Sequence, residues 1–261
     1  MNAFQDGTPL RYPGAKGKAR RLLHSLAPND YREFREPFFG SGTMLVGART
    51  DRFWLNDKNP MLMDFWRWFR KQEDAVEQMT EAAEHFQSAS DDEIERAFVQ
   101  ARLRVKMYRD PYSYWLLNRF ATSAIVSLRR RDVASLSSAL KRNGMSPMRK
   151  ERLIAIRDAL RNENVMLTCG EYKELLEAPG QSVWIYLDPP YLLKDNSSPI
   201  YEFHFSPQDH IVLADRLHRC RHAWMLSNGD SRFIRDLYKG YRIRHRRYTG
   251  SMPHRTADRF K

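Results

Sequence analysis

The chain has only two cysteines, Cys169 and Cys220, far apart and with no CxxC partner. That usage excludes a disulfide framework and a cysteine zinc cluster, and it suits a reducing cytoplasm, where the protein is expected. No apolar run approaches the roughly 20 residues a membrane helix requires. Residues 1–7 lack the basic-then-apolar order of a secretory signal. The eight histidines form no H-E-x-x-H or similar cluster, so no catalytic metal is expected. No Ser-His-Asp arrangement, internal repeat or low-complexity tract can be located. Acidic residues are in deficit: 44 Lys and Arg face 32 Asp and Glu, a net charge of +12.

The basic excess is not spread evenly. Arg119 to Arg161 holds eleven Lys/Arg against three Asp/Glu, and Ser231 to Lys261 holds ten against two. A generically basic soluble protein would distribute its charge. Two concentrated segments are what a polyanion-binding face requires, with nucleic acid the first candidate and a membrane surface a weaker one.

The stretch Trp184-Ile185-Tyr186-Leu187-Asp188-Pro189-Pro190-Tyr191 is an apolar run that stops on a carboxylate, two prolines and an aromatic ring. The run reads as a buried strand, and the prolines end it because they cannot donate ladder hydrogen bonds. Alone, this reads equally as an ordinary Pro-Pro turn. In an open α/β sheet, however, ligands sit beyond the carboxyl ends of strands.

Upstream, Tyr31 to Glu36 reads as a short strand, followed by a glycine turn at Gly40-Ser41-Gly42 and a helix running to about Arg49. Phe53-Trp54-Leu55 reads as the next strand. Asp57 follows the glycine turn by the interval expected of a ribose-binding acid in a nucleoside-binding βαβ unit. It reads alternatively as a turn residue or N-cap before Pro60. The loop Leu10 to Lys18 carries two glycines, a proline and two lysines, and a helix is predicted from Ala19 to Leu26. It is not a P-loop: its glycines are too close, and Ala19 stands where a magnesium-ligating hydroxyl is needed.

From Met61 the apolar residues recur at helical spacing (Met61, Phe65, Trp68 and Phe69, then Ile94, Phe98 and Leu103). We expect residues 61–164 to form a helical insertion between two parts of an α/β domain, 1–60 and 165–261. The second half of the insertion carries Asn118, Arg119, Arg129, Arg130, Arg131, Lys141 and Arg142, which we assign as expected nucleic-acid contacts, together with Lys194 in the polar loop after Tyr191. Strands are predicted at Val165 to Thr168 and Ala223 to Ser227. Helices are predicted at Lys173 to Glu177, Pro207 to about Cys220, and Phe233 to Tyr238.

In this order, the sequence resembles the Dam-type (D12 class) DNA adenine-N6 methyltransferases. Four stretches carry the resemblance: Arg11-Tyr12-Pro13-Gly14-Ala15-Lys16, Glu36-Pro37-Phe38-Phe39-Gly40-Ser41-Gly42, Asn56-Asp57-Lys58-Asn59-Pro60, and Asp188-Pro189-Pro190-Tyr191. Phe205 to His210 and Ser227 to Asp230 are weaker echoes. The resemblance implies a class I (Rossmann-like) methyltransferase sheet, S-adenosylmethionine as cofactor and the insertion as a target-recognition domain. It implies that Tyr12 and Lys16 touch the methionine end of the cofactor. Glu36 would orient its amine, Phe38, Gly40 and Gly42 would shape the loop around it, and Asp57 would accept the ribose hydroxyls. Glu171 and Tyr172 fall where the family binds the cofactor's adenine. The partner implied is double-stranded DNA, with a cognate restriction enzyme compatible with the family; a monomer or weak dimer is expected.

The chemistry agrees with the tetrapeptide. The exocyclic amine of adenine is a poor nucleophile because its lone pair is delocalised into the ring. Asp188 and the Pro189 carbonyl can accept from its two N–H groups and favour a pyramidal nitrogen as charge develops. Pro189 and Pro190 hold these groups stiff, and Tyr191 offers a face on which an extruded base can stack. Two other readings stay open on sequence: transfer to cytosine N4 or to an RNA base, and a catalytically silent nucleic-acid-binding protein.

Overall fold

The computed structural model describes residues 8–12, 16–17, 19–121, 126, 145–192 and 205–245. Its centre is a parallel sheet of β1 (Glu33–Glu36), β2 (Phe53–Asp57), β3 (Val165–Cys169), β4 (Val183–Leu187) and β5 (Ala223–Leu226). The strand order is β3-β2-β1-β4-β5. In register, Phe34 lies beside Phe53 on one side and Trp184 on the other. The chain therefore builds outward from β1 to β3 and then crosses back to lay β4 on the opposite flank. Such a reversal opens a crevice at the carboxyl ends of the two central strands. Glu36 ends β1 and Asp188 follows β4 there.

All five residues of β4 are buried, as a strand covered on both faces requires. Its side chains alternate between two cores. Trp184 and Tyr186 join Phe34, Phe53 and Leu55 on one face, while Val183, Ile185 and Leu187 join the other.

On the first face lie α2 (Pro60–Lys71), α3 (Ala75–His85), α4 (Asp91–Tyr108), α5 (Pro111–Phe120) and α6 (Lys150–Arg161), which share one core with the sheet. On the second lie α7 (Lys173–Glu177), α8 (Pro207–Arg219) and α9 (Arg232–Leu237). A short helix, α1 (Arg20–Ser25), precedes β1.

Local chemistry starts these elements. Asn59 caps α2 by accepting from the amides of Met61 and Leu62, with Pro60 in its first turn. Ser90–Glu93 and Ser206–Asp209 form capping boxes for α4 and α8. Trp66 is fully buried and donates to the Gly40 carbonyl at 3.0 Å, so α2 is bolted to the glycine turn.

Two expectations are corrected. The helix predicted to reach Arg49 is a run of turns, linked by Gly42 N–H to Phe39 O and Leu45 N–H to Gly42 O. Positive φ at Gly40, Gly42 and Gly47 breaks the helical path. Leu103, counted with the apolar residues at helical spacing, faces outward from α4 at 53% exposure. The buried ladder is Ile94, Phe98, Ala101 and Val105.

Candidate active site

Three carboxylates converge at the carboxyl ends of β1, β2 and β4: Glu36, Asp57 and Asp188. Glu36 is 3% exposed, and its Oε2 is buried with no hydrogen-bond partner. Burial first, then the neighbouring charges of Asp188 and Asp57, push its pKa well above the usual carboxylate range; Lys16 pulls the other way. Asp57 is also raised, by burial, against the amides that bond it. Its Oδ2 accepts from Gly40 N–H at 3.0 Å and its Oδ1 from Asn59 N–H at 2.9 Å. Asp57 thus ties the glycine turn to the start of α2.

Asp188 is held at both oxygens. Lys16 Nζ lies 2.6 Å from Oδ2, and the Tyr191 hydroxyl donates to Oδ1 at 3.0 Å. The same ammonium sits 5.0 Å from the centre of the Tyr191 ring. Lys16, expected beside the cofactor's methionine end, is thus brought to the Asp188–Tyr191 tetrapeptide, and Tyr12 lies on the glycine turn. A Cβ built on Gly40 would stand 3.5 Å from the Tyr12 ring.

Gly42 also serves packing. A Cβ there would meet Phe39 and Trp66 at 3.0 Å, so its missing side chain makes room for Trp66.

Beyond the glycine turn, Phe38 stacks on Tyr172 at 5.4 Å, and Phe205 meets Phe38 edge-on at 5.7 Å. This aromatic wall joins the loop after β1 to the start of α7. Glu171 stands exposed at the rim, paired with Lys58 at 2.6 Å.

The tetrapeptide has a backing that the sequence only hinted at. His210 is fully buried, with Phe205 edge-on to its ring at 4.7 Å and the Asn228 amide 3.4 Å from its Nδ1. Burial lowers its pKa to about 4, against the pull of the Pro190 backbone and Asp209, so the ring is neutral. A Cβ on Gly229 would be 3.7 Å from Tyr191. The spacing Phe205 to His210 and the run Ser227 to Asp230 were the available signals, without a role attached.

Asn118 and Arg119 are corrected from DNA contacts to internal ties. Asn118 is 1% exposed: its Oδ1 accepts from Arg11 N–H and its Nδ2 donates to Arg11 O, each at 2.8 Å. Arg119 is buried and donates to Ser146 O at 2.9 Å. Burial, with the charge of Arg11, lowers its pKa to about 10. The last turn of α5 faces the loop at residues 8–12, which removes both side chains from the surface. Arg129, Arg130, Arg131, Lys141, Arg142 and Lys194 lie outside the described residues.

Among the described residues, no group of three or more His, Cys, Asp or Glu could hold a metal ion. The donor set instead suits an organic ligand with a cationic amine and hydroxyl groups. The orphaned buried carboxylate oxygen of Glu36 could accept from the first, and the remaining lone pairs of Asp57 from the second.

Comparison with known proteins gives the same direction. A family model described as D12 class N6 adenine-specific DNA methyltransferase matches residues 12–252. The chain is 24% identical to the type II methyltransferase M1.LlaDCHI of Lactococcus lactis subsp. cremoris, over 93% of this chain and 90% of that protein. It is 21% identical to a DNA adenine methylase of Haemophilus influenzae, over 90% of this chain and 84% of that protein. It is 25% identical to a DNA N-6-adenine-methyltransferase of Escherichia phage P1, over 80% of this chain but only 28% of that protein.

Proposed function

The chain belongs to the D12 class of N6 adenine-specific DNA methyltransferases, and from that membership we propose how its residues share the reaction. The substrate is DNA, and the family uses S-adenosylmethionine. When bound, that cofactor supplies the methyl group. Glu36 holds its amine, Asp57 its ribose hydroxyls, and the Tyr12–Gly40 contact bounds the methionine end. Phe38 and Tyr172, stacked on each other, wall its adenine on one side, with Glu171 and Lys58 at the rim.

The observation that carries this reading is the orphaned Glu36 oxygen beside Asp188 in the crevice between β1 and β4. A carboxylate buried without a partner is costly, and a cationic ligand relieves that cost. Asp188 and the Pro189 carbonyl then accept from the two N–H groups of a flipped adenine, while Tyr191 stacks on the base. Before the base binds, Lys16 and the Tyr191 hydroxyl occupy Asp188. An entering adenine replaces these bonds. Neutral His210, Asn228 and Gly229 keep the tetrapeptide from shifting as it does so.

Residues 1–60 and 165–261 carry the chemistry and 61–164 carry target recognition, with α2 serving as the sheet's cover and the insertion's base. The enzyme acts at a short duplex site, in the cytoplasm, as a monomer or weak dimer. On the pattern of its type II relative, it would protect DNA from a restriction enzyme of the same site.

Incubation with methyl-labelled cofactor and duplex DNA, followed by digestion to nucleosides, tests the reading. Label in N6-methyladenine is expected. Label in cytosine, label only with RNA, or binding without transfer would each overturn it.

A further inference from the structure

The segment that brings Tyr12 and Lys16 to the reaction centre is fastened to the insertion. Three α5 features hold residues 9–11. Trp115 Nε1 donates to Pro9 O at 3.0 Å. Asn118 bonds the amide and the carbonyl of Arg11, 2.8 Å each way. Arg11 in turn donates through Nη1 to the carbonyls of Arg119 at 2.9 Å and Ala121 at 3.3 Å. Those carbonyls lie at the end of α5, where the helix dipole favours a cation. Asn118 thus pairs with the Arg11 backbone as a neighbouring strand would, from a helix more than a hundred residues away (|i−j| = 107).

What lies on either side of this clasp gives it meaning. Downstream of Arg11, Tyr12 covers Gly40 and Lys16 holds Asp188. Downstream of α5 come residues 122–144, with Arg129, Arg130, Arg131, Lys141 and Arg142. The clasp therefore joins the root of the insertion's basic segment to the loop that serves cofactor and base.

We propose that Asn118 is a positioning residue that couples DNA held by the insertion to cofactor binding through the Arg11 backbone. The proposal rests on the cofactor role proposed for Tyr12 and on the Lys16–Asp188 pair at the base site. Both ligands favour the same placement of this loop, so each strengthens the other's binding, and the effect is reciprocal. Without Asn118, two part-buried backbone groups of Arg11 lose this partner and the loop loses its register.

The test is calorimetric titration of the full chain with S-adenosylhomocysteine, alone and with a short duplex carrying the site found by methylation mapping. Wild type should bind S-adenosylhomocysteine about fivefold or more tightly with the duplex present. Asn118→Ala should bind the duplex alone within about twofold of wild type, bind S-adenosylhomocysteine about tenfold more weakly, and show little enhancement by duplex. If Asn118→Ala fails to fold, Asn118→Asp keeps the acceptor and shape, turns a donor into a second acceptor facing the Arg11 carbonyl, and should show the same loss of enhancement. Wild-type enhancement in the variant overturns the proposal. So does a loss confined to duplex affinity, which would make Asn118 a DNA contact. Failure of wild type to bind S-adenosylhomocysteine at all would instead overturn the cofactor reading beneath it.

Discussion

At the scale of single residues, Glu36 and Asp188 have opposite needs. Glu36 waits without a partner for one of its oxygens, whereas Asp188 has one at each oxygen. The folded protein holds the Glu36 proton more tightly than the unfolded chain does. The empty enzyme therefore loses stability as pH rises from the ordinary carboxylate range through the raised value. Glu36→Gln should remove that loss. Its melting temperature should exceed wild type by a few degrees near pH 8 and match it in acid, as thermal scans across pH would show. The same variant should bind S-adenosylhomocysteine about 10- to 100-fold more weakly at neutral pH, since a charge-assisted bond is gone. Asp188→Ala should slow methyl transfer by about a thousandfold or more while keeping most cofactor binding. Full activity in a labelled-transfer assay would overturn the mechanism. These two carboxylates were readable in the sequence because each ends a strand at a recognisable motif. The Lys16–Asp188 pair was not, since nothing in local pattern shows that residues so far apart meet. Asn118 misled for a related reason: a polar residue beside a basic run looks exposed until its tertiary partner, here the Arg11 backbone, is known.

Among the elements, β1 depends on an unusual support. Arg35 is 1% exposed and stacks over Trp54. It donates to Glu33 at 2.6 Å and to the carbonyls of Leu175, Ala178 and Pro179 at 2.7–2.9 Å. One guanidinium thereby stitches the strand that delivers Glu36 to the end of α7 and the approach to β4. Arg35→Met should lower stability by about 2–4 kcal/mol, measured from urea unfolding, because it leaves buried acceptors and the Glu33 charge unpaired. Gly180→Ala should also destabilise, since a Cβ there would stand 2.5 Å from Val183 and 2.6 Å from Arg35. Strands and helices with clear periodicity or caps were found close to their observed bounds, and α7 matched at both ends. Residues 43–49 failed because an apolar stretch after a glycine turn looks like a helix start. The backbone demands of Gly42 and Gly47 outweighed that pattern.

For the molecule as a whole, charge and chain order matter most. Replacing Arg129, Arg130 and Arg131 together with Gln should weaken duplex binding and lower the slope of log affinity against log salt by about 2 to 3. An unchanged slope in binding titrations would count against that patch. A helical stretch between β2 and β3 was legible from its apolar spacing, but the sequence target is not encoded in any local pattern. The strand order has one more consequence, in the time domain. Glu33 pairs with Val183, so β1 stays open on that side until most of the chain has been made. At about 5–20 residues per second, a ribosome needs roughly ten seconds or longer to supply β4. During that interval a half-built sheet presents an unpaired edge that other nascent chains can join. The reversal that opens the crevice between β1 and β4 therefore also makes its completion the late and vulnerable step of biosynthesis, the one for which chaperone holding would matter most.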